Sequence, residues 1–399
     1  MSNIVLKPTG HQRILSRRSA LKLGLGTGLA ASLAACGQTT PTPASNLALL
    51  TSGESIPLDQ LIAGAQHDTY LSTMTLPHDW ANYGEIIDAF RKKYNLAVNE
   101  INPEGSSQDE VDAIKAYKDK PGPLSPDVVD MGLGFAEPGK AEGLFARYKV
   151  ATWNTIPDGL KDPEGYWYCS YYGVLALEVN RALVKEIPQD WSDLLKPQYA
   201  GMVALGGDPT RSSMAANSVW AAGLSRTRSL DEAPEAGMAF FAELQQVGNL
   251  VPLIGSADTL VKGETPIVIL WDFLALIDRD KRVGQTDIEV VVPKSGVLGV
   301  PSIQAINAYA PKPFAARLWE EFLYSDEGQL LWLKGYAHPI RYNDLVMRDK
   351  IPADLAAQLP SADLYAQAVF PTSSAQTAQV REKITQQWMA EVKVEIKSP

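Results

Sequence analysis

Beyond residues 1–62, short apolar runs alternate with longer segments whose apolar residues recur every three or four positions. "YLSTMTLP" reads as a first strand. "NYGEIIDAFRKKYNL" reads as a helix, with Ile86, Ile87, Phe90 and Tyr94 on one face. "SSQDEVDAIKAYKD" reads as another, with Val111, Ile114 and Tyr117 as its stripe and Ser107 with Glu110 as a capping box. "SPDVVDMG" and "GMVALGGD" are short strands that run into glycines. "DWSDLLKPQYAG" reads as a helix stopped by Pro197, and "SSMAANSVWAAGL" and "PEAGMAFFAELQQVG" as two more helices. "TPIVILWD" is a wholly apolar strand, and "IEVVVPKSGVLGVPSIQAINAYAP" is two strands around a glycine-bearing turn. From "PFAARLWEEFLYSDEGQLLWL" onward the pattern is helical. Strands alternating with helices of this length predict an α/β protein with mostly parallel sheets.

Two long extended runs, near 171–180 and 290–306, read as strands that cross between two α/β lobes. The first lobe is then discontinuous, 63–175 and 298–399, and the second is the insert 176–297. A cleft between two lobes is a favoured ligand site. Loops at the carboxyl ends of parallel strands face such a cleft.

The N-terminus changes the picture of where the chain works. "SRRSALKLGLGTGLAASLAAC" has paired arginines, a mildly apolar stretch and small residues, the layout of an export signal. Thirteen residues separate Lys22 from Cys36, too few for a spanning helix. The arginines with Leu21 and Lys22 are similar to a twin-arginine signal. Ala20 stands where an aromatic often does, which leaves the general secretory route open. Leu33-Ala34-Ala35-Cys36 resembles a lipobox, in which Cys36 is acylated and tethers the protein to a membrane surface. The competing reading is a soluble export signal with an accidental Cys36. Residues 1–36 are thus expected as signal and 37–62, opening with "GQTTPTPAS", as a flexible tether.

Without residues 1–36 the chain carries 31 basic against 46 acidic residues, a net charge of −15. Such a surface argues against nucleic acid as a partner. With Cys36 acylated, Cys169 has no partner within the chain and reads as a small buried hydrophobe. His11, His67, His78 and His338 are scattered, with no metal-ligand spacing. Tyr171 and Tyr172, adjacent in a strand, point to opposite faces and cannot clamp one ion together.

Four places carry candidate chemistry. Trp80 and Tyr83 follow the first strand, as walls of a pocket or as core packing. Ser106 and Ser107 open a helix, where free N–H groups, hydroxyls and the helix dipole attract negative charge, or where a serine simply caps. "LGGDPTRSS" repeats that design with Asp208, Thr210, Arg211, Ser212 and Ser213. It lacks the lysine of a phosphate-binding P-loop and the Gly-x-Ser-x-Gly of a nucleophile elbow. Its plainer reading is a capped helix with Asp208 and Arg211 paired on the surface. Trp271 and Asp272 end the most apolar strand, where Asp272 takes a cation or orients Arg211, or Trp271 merely closes the core.

In their order, these segments resemble the extracellular solute-binding proteins of ABC importers, of the polyamine and iron-type branch. The likeness runs from about Leu61 to about Tyr342. It rests on "IIDAFRKKYNLAV", "PDVVDMG", "KDPEGYWY", "YYGVLALEVN", "DWSDLLKPQYAGMVALGGDPTRSS", "PIVILWD" and "VVVPKSGVLGVPSIQAINAYAPKPFAARLWEEFLYSDEGQ". The resemblance implies a type II periplasmic-binding fold: two lobes, a hinge, and a cleft that closes on a solute for delivery to a membrane permease and its ATPase. It implies a monomeric binder with no cofactor and no catalytic residues. Polyamine-binding members use aromatics matched here by Trp80, Tyr83 and Trp271. Of their acids, one falls near Pro301-Ser302 and is missing, Asp208 matches another, and the next falls at or beside Arg211. Arg211 with serines at helix starts suits phosphate, phosphonate or carboxylate better. The expected solute is therefore a small polar organic anion or zwitterion, with a polyamine as the alternative. An exported α/β enzyme is the alternative of another class.

Overall fold

The computed structural model describes residues 43–399. The expected export signal, Cys36 and residues 37–42 lie outside the described residues. The rest of the expected tether is ordered differently from the expectation. Helices span Pro43–Ser52 and Leu58–Asp68, and Leu61 and Ala65 of the second are buried. Asp68 ties it down by accepting the Phe314 and Ala315 N–H groups at 2.8 and 2.9 Å.

Eleven strands are present among the described residues: β1 Tyr70–Met74, β2 Ala97–Ile101, β3 Val128–Gly132, β4 Phe145–Ala146, β5 Tyr168–Gly173, β6 Leu175–Asn180, β7 Val203–Leu205, β8 Ile267–Trp271, β9 Ile288–Val291, β10 Val300–Asn307 and β11 His338–Pro339. One lobe is built on β11-β5-β10-β3, with β4 also on β10, and on the β1-β2 pair beside it. β1 abuts β3 where the Asp127 N–H donates to the Ser72 carbonyl at 2.9 Å. The other lobe is built on β7-β8-β6-β9.

The sheets are not mostly parallel. Only β1 with β2 and β7 with β8 pair in parallel; the remaining pairings of named strands are antiparallel. The double crossing explains this. The chain passes from β5 into β6 at Val174, and from β9 into β10 through residues 292–299. A strand arriving from the other lobe starts at the cleft and runs away from it. β10 and β6 are those arrivals, and each lies between strands that run toward the cleft.

The crossovers have a small core of their own: Val174, Ala176, Val292, Val297 and Tyr365. A third segment joins them. The Val369 N–H donates to Val297 and the Gly299 N–H to Val369, at 2.9 and 3.0 Å. Helix Ser374–Glu391 then buries Val380, Ile384 and Trp388 at successive turns. Each large apolar side chain so buried contributes about 1.5–3 kcal/mol. This helix packs on Ser213–Thr227 and Ala233–Gln246 of the β7-β8-β6-β9 lobe, and on the Leu133–Phe135 turn of the other. The sequence division, which kept all of 298–399 with the first lobe, did not anticipate that contact. Two further local expectations differ. "DWSDLLKPQYAG" forms the short 3-10 turns Trp191–Leu195 and Pro197–Tyr199, not one α-helix. The cap of helix Ser107–Tyr117 is Ser106, boxed with Asp109, because Glu110 is buried and its carboxylate accepts the Asp130 N–H at 3.0 Å.

Candidate ligand cleft

Strand ends and helix starts from both lobes enclose a cavity of about 520 Å³. β1 leads to Thr75, Pro77 and Trp80 on one side; β8 leads to Trp271 and Phe273 on the other. Their rings form one aromatic wall. Trp271 and Phe273 lie parallel at 6.4 Å, and Trp80 meets Phe273 edge-on at 5.4 Å. The Trp80 indole N–H donates to the Tyr171 hydroxyl at 2.7 Å, which fixes both rings.

Two helix starts face the same space. In Ser107–Tyr117, the Asp109 N–H is capped by Ser106 Oγ at 3.3 Å. Ser107 and Gln108 lie in the uncapped part of that first turn and line the cavity. In Ser213–Thr227, the Ala215 N–H is capped by Ser212 Oγ at 3.3 Å, and Ser213 and Met214 hold the matching positions. The turn before Ser212 is tight. A Cβ on Gly207 would stand 2.6 Å from Ser212 Cβ and Oγ, so only glycine permits the approach. N–H groups left free at a helix start, with the helix dipole behind them, attract anions.

Arg211 lines the cavity and has no ion-pair partner among the described residues. The expected pair with Asp208 does not form. Asp208 Oδ1 instead accepts the Thr210 N–H and hydroxyl at 2.9 and 2.8 Å. That local turn keeps both Asp208 and Thr210 off the cavity.

Of the residues singled out from sequence, Trp80, Ser106, Ser107, Arg211, Ser212, Ser213 and Trp271 line the cavity. Asp208, Thr210, Tyr83 and Asp272 do not. Tyr83 is fully buried, with its hydroxyl on Asp130 behind the wall. Asp272 is 1% exposed and belongs to the crossover. It accepts the Val174 N–H at 3.0 Å and the Tyr365 hydroxyl at 2.5 Å. It therefore neither orients Arg211 nor reaches a solute.

Asp130 is the main residue that sequence reasoning missed. It is the middle residue of β3, lines the cavity floor, and accepts the Tyr83 and Tyr171 hydroxyls. Burial pushes its carboxyl up to about 7, against the pull of those hydroxyls and of Ser302 and Gln304. The signal was present in "PDVVDMG": an acid set within an otherwise apolar strand that runs toward the cleft. Asn217, Phe273 and Arg381 also line the cavity and gave no local signal. Tyr172 turns to the opposite side of β5 from Tyr171 and meets His338 Nδ1 at 3.1 Å. Cys169 is fully buried and has no disulfide partner among the described residues. Among the described residues no group of three or more His, Cys, Asp or Glu could hold a metal ion, and no helix is long and apolar enough to cross a membrane.

Two α/β lobes joined by crossing strands, with a mixed aromatic and polar cavity between them, define a hinged solute-binding protein. Residues 125–365 match the bacterial extracellular solute-binding protein family, and the chain belongs to it. It is thereby the solute-binding component of an ABC transporter. The fold is shared with the periplasmic binding protein AfuA from Actinobacillus pleuropneumoniae, solved with fructose-6-phosphate bound, at 19% identity and TM-score 0.62 over 81% of this chain and 98% of that one. It is shared with iron-bound HitA from Pseudomonas aeruginosa, at 17% identity and TM-score 0.60 over 79% and 97%. A protein assigned as a spermidine/putrescine ABC transporter from Listeria monocytogenes is 13% identical with TM-score 0.58 over 80% and 98%. No curated protein matches the sequence. These neighbours differ in what they bind, so the likeness carries the fold and not the ligand.

Proposed function

We propose that this chain captures a small organic anion, of the phosphate-ester or phosphonate kind, and hands it to a membrane permease and its ATPase. One observation carries the reading. The starts of helices Ser107–Tyr117 and Ser213–Thr227, from opposite lobes, face one cavity together with an unpaired Arg211. Closing the lobes on an acidic group would join both helix starts and a guanidinium on it, in the geometry that suits phosphate and carboxylate oxygens. The Trp80, Trp271 and Phe273 rings would then cover the organic part. The sugar phosphate bound by AfuA is a solute of this kind.

Asp130 favours a second reading, in which an amine lies on the cavity floor against that carboxylate and the aromatic wall. A zwitterion satisfies both ends. A polyamine satisfies only one, and places an ammonium near the Arg211 charge. Thermal-shift and calorimetric titration with a sugar phosphate, a phosphonate and spermidine separates them. A bound solute at 100 times its Kd stabilises the native state by about 2.7 kcal/mol. Stabilisation by spermidine alone would overturn the anion reading. Turnover of any probe would revive an exported enzyme.

The Cys36 lipid anchor, at the periplasmic or cell-surface side of a membrane, and a monomeric state complete the proposal. Expression of Cys36→Ala should release the protein from the membrane fraction. Retention there would remove the anchor from the reading.

A further inference from the structure

A second cavity of about 430 Å³ adjoins the cleft. Its walls are the start of helix Ser107–Tyr117, the Leu133–Phe135 turn and one face of the C-terminal helix Ser374–Glu391. The two cavities share lining residues, among them Gln108, Phe135, Ser213, Asn217 and Arg381, and meet there.

Asn217 and Arg381, at this junction, have no hydrogen-bonding or ionic side-chain partner among the described residues. Asn217 is only 7% exposed and lines both cavities. It lies one turn beyond Ser213, on the same helix face. A buried side-chain amide is ordinarily hydrogen-bonded, so an unmatched one beside a cavity marks a place for a ligand or water. Arg381 stands over the Phe135 ring at 5.8 Å and pairs with no carboxylate. The other cation on the wall, Lys115, is already held by Glu142 at 2.7 Å. Arg381 is also not on a loose tail. Val380, beside it, is buried, and the Trp388 indole N–H donates to the Val394 carbonyl at 2.7 Å. Its helix touches both lobes, so Arg381 is carried at the junction itself.

We propose that Asn217 and Arg381 form a second polar subsite, and that the solute is an elongated anion with two acidic groups. One group sits at Arg211 in the cleft; the other reaches the junction with the side cavity, where Arg381 supplies charge and Asn217 a hydrogen bond. This rests on the anion reading of the cleft and narrows it to a bisphosphate or a phosphate that also bears a carboxylate.

Calorimetry on the protein with fructose 6-phosphate and fructose 1,6-bisphosphate as probes tests it, alongside Arg381→Gln, Asn217→Ala and Arg211→Ala. The bisphosphate should bind about tenfold tighter or better, as a further charge-assisted contact requires. Arg381→Gln should abolish that preference while changing monophosphate affinity less than about threefold. Asn217→Ala should reduce it in the same direction. Equal loss for both probes in Arg381→Gln would place Arg381 in a single anion site and overturn the proposal. So would a bisphosphate with no advantage while monophosphate binding still depends on Arg211, an outcome that leaves the cleft reading intact. Binding of neither probe would overturn both. Unchanged melting temperatures of the variants exclude misfolding as the cause.

Discussion

Arg211 and Asp208 stand three residues apart in one turn, joined by the Arg211 N–H to the Asp208 carbonyl at 2.9 Å, yet their side chains do not pair. Asp208 closes the turn on Thr210, at 2.9 and 2.8 Å, and Arg211 is left to the cleft. The acid shapes the loop and the base is free to meet a solute.

This division of labour separates two variants. Arg211→Ala should weaken an anionic solute by about 2–3 kcal/mol, the value of a charge-assisted hydrogen bond, with little change in melting temperature. Asp208→Ala should lower stability by about 1 kcal/mol through the lost turn bonds. Calorimetry and thermal melts on the two proteins check this. Equal affinities for Arg211→Ala and the parent would sink the role given to Arg211.

Asp130 predicts how binding depends on pH. Its carboxyl titrates at about 7, so it is neutral below that and negative above. An anionic solute beside it should bind more weakly as pH rises from 6 to 8. A sugar acid, whose carboxylate does not titrate in that range, is the suitable probe. Asp130→Asn keeps an acceptor for Tyr83 and should flatten the dependence. A slope that survives in Asp130→Asn belongs to another group.

Glu178 predicts how stability depends on pH. It lies in β6 with both carboxylate oxygens buried and without hydrogen bonds, and burial pushes it up to about 8, with Asp278 adding to the rise. The unfolded value is about 4.3. The native state therefore retains a proton that the unfolded chain has released. The associated stability is full below about pH 4 and is lost as pH rises through about 8. Glu178→Gln should raise the melting temperature at pH 8 more than at pH 5. An equal gain at both would mean that Glu178 is not the titrating group.

Two glycines hold the second lobe's helix start in place. A Cβ on Gly223 would stand 1.8 Å from the Ala233 carbonyl oxygen, and one on Gly237 would stand 1.9 Å from that of Val219. Helices Ser213–Thr227 and Ala233–Gln246 thus touch through backbone at both glycines. Gly223→Ala or Gly237→Ala should destabilise by about 1–3 kcal/mol as the helices part, and weaken solute binding through the shifted Ser212–Ser213 start. Denaturant melts and calorimetry would show both effects. A neutral substitution would contradict the close approach.

Much of the architecture was legible along the chain. Ile86, Ile87, Phe90 and Tyr94 keep helical spacing and are all buried. The strands from "YLSTMTLP", "PDVVDMG" and "PIVILWD" lie where their apolar runs placed them. These are local regularities, set by a period of two or of 3.6 residues and by the cost of exposing apolar surface. Sequence also marked the helix starts, because capping acts over three residues: both helices begin at the expected serine pairs, with Ser212 as the cap of one and Ser106, not Ser107, as the cap of the other.

Strand direction and the lining of the cavity emerged only in three dimensions. Parallel or antiparallel pairing depends on which end of a sheet a strand enters, and the double crossing reversed β6 and β10. Tyr83, Asp272 and Asp208 have the chemistry of ligand residues, but other parts of the fold claimed them: Asp130 for the first, Val174 and Tyr365 for the second, and the Thr210 turn for the third. Arg381 came to the cleft because Val380, Ile384 and Trp388 bind its helix across both lobes. Composition and spacing determine which side chains could serve. Burial and hydrogen bonding between residues far apart in sequence decide which of them remain free to do so.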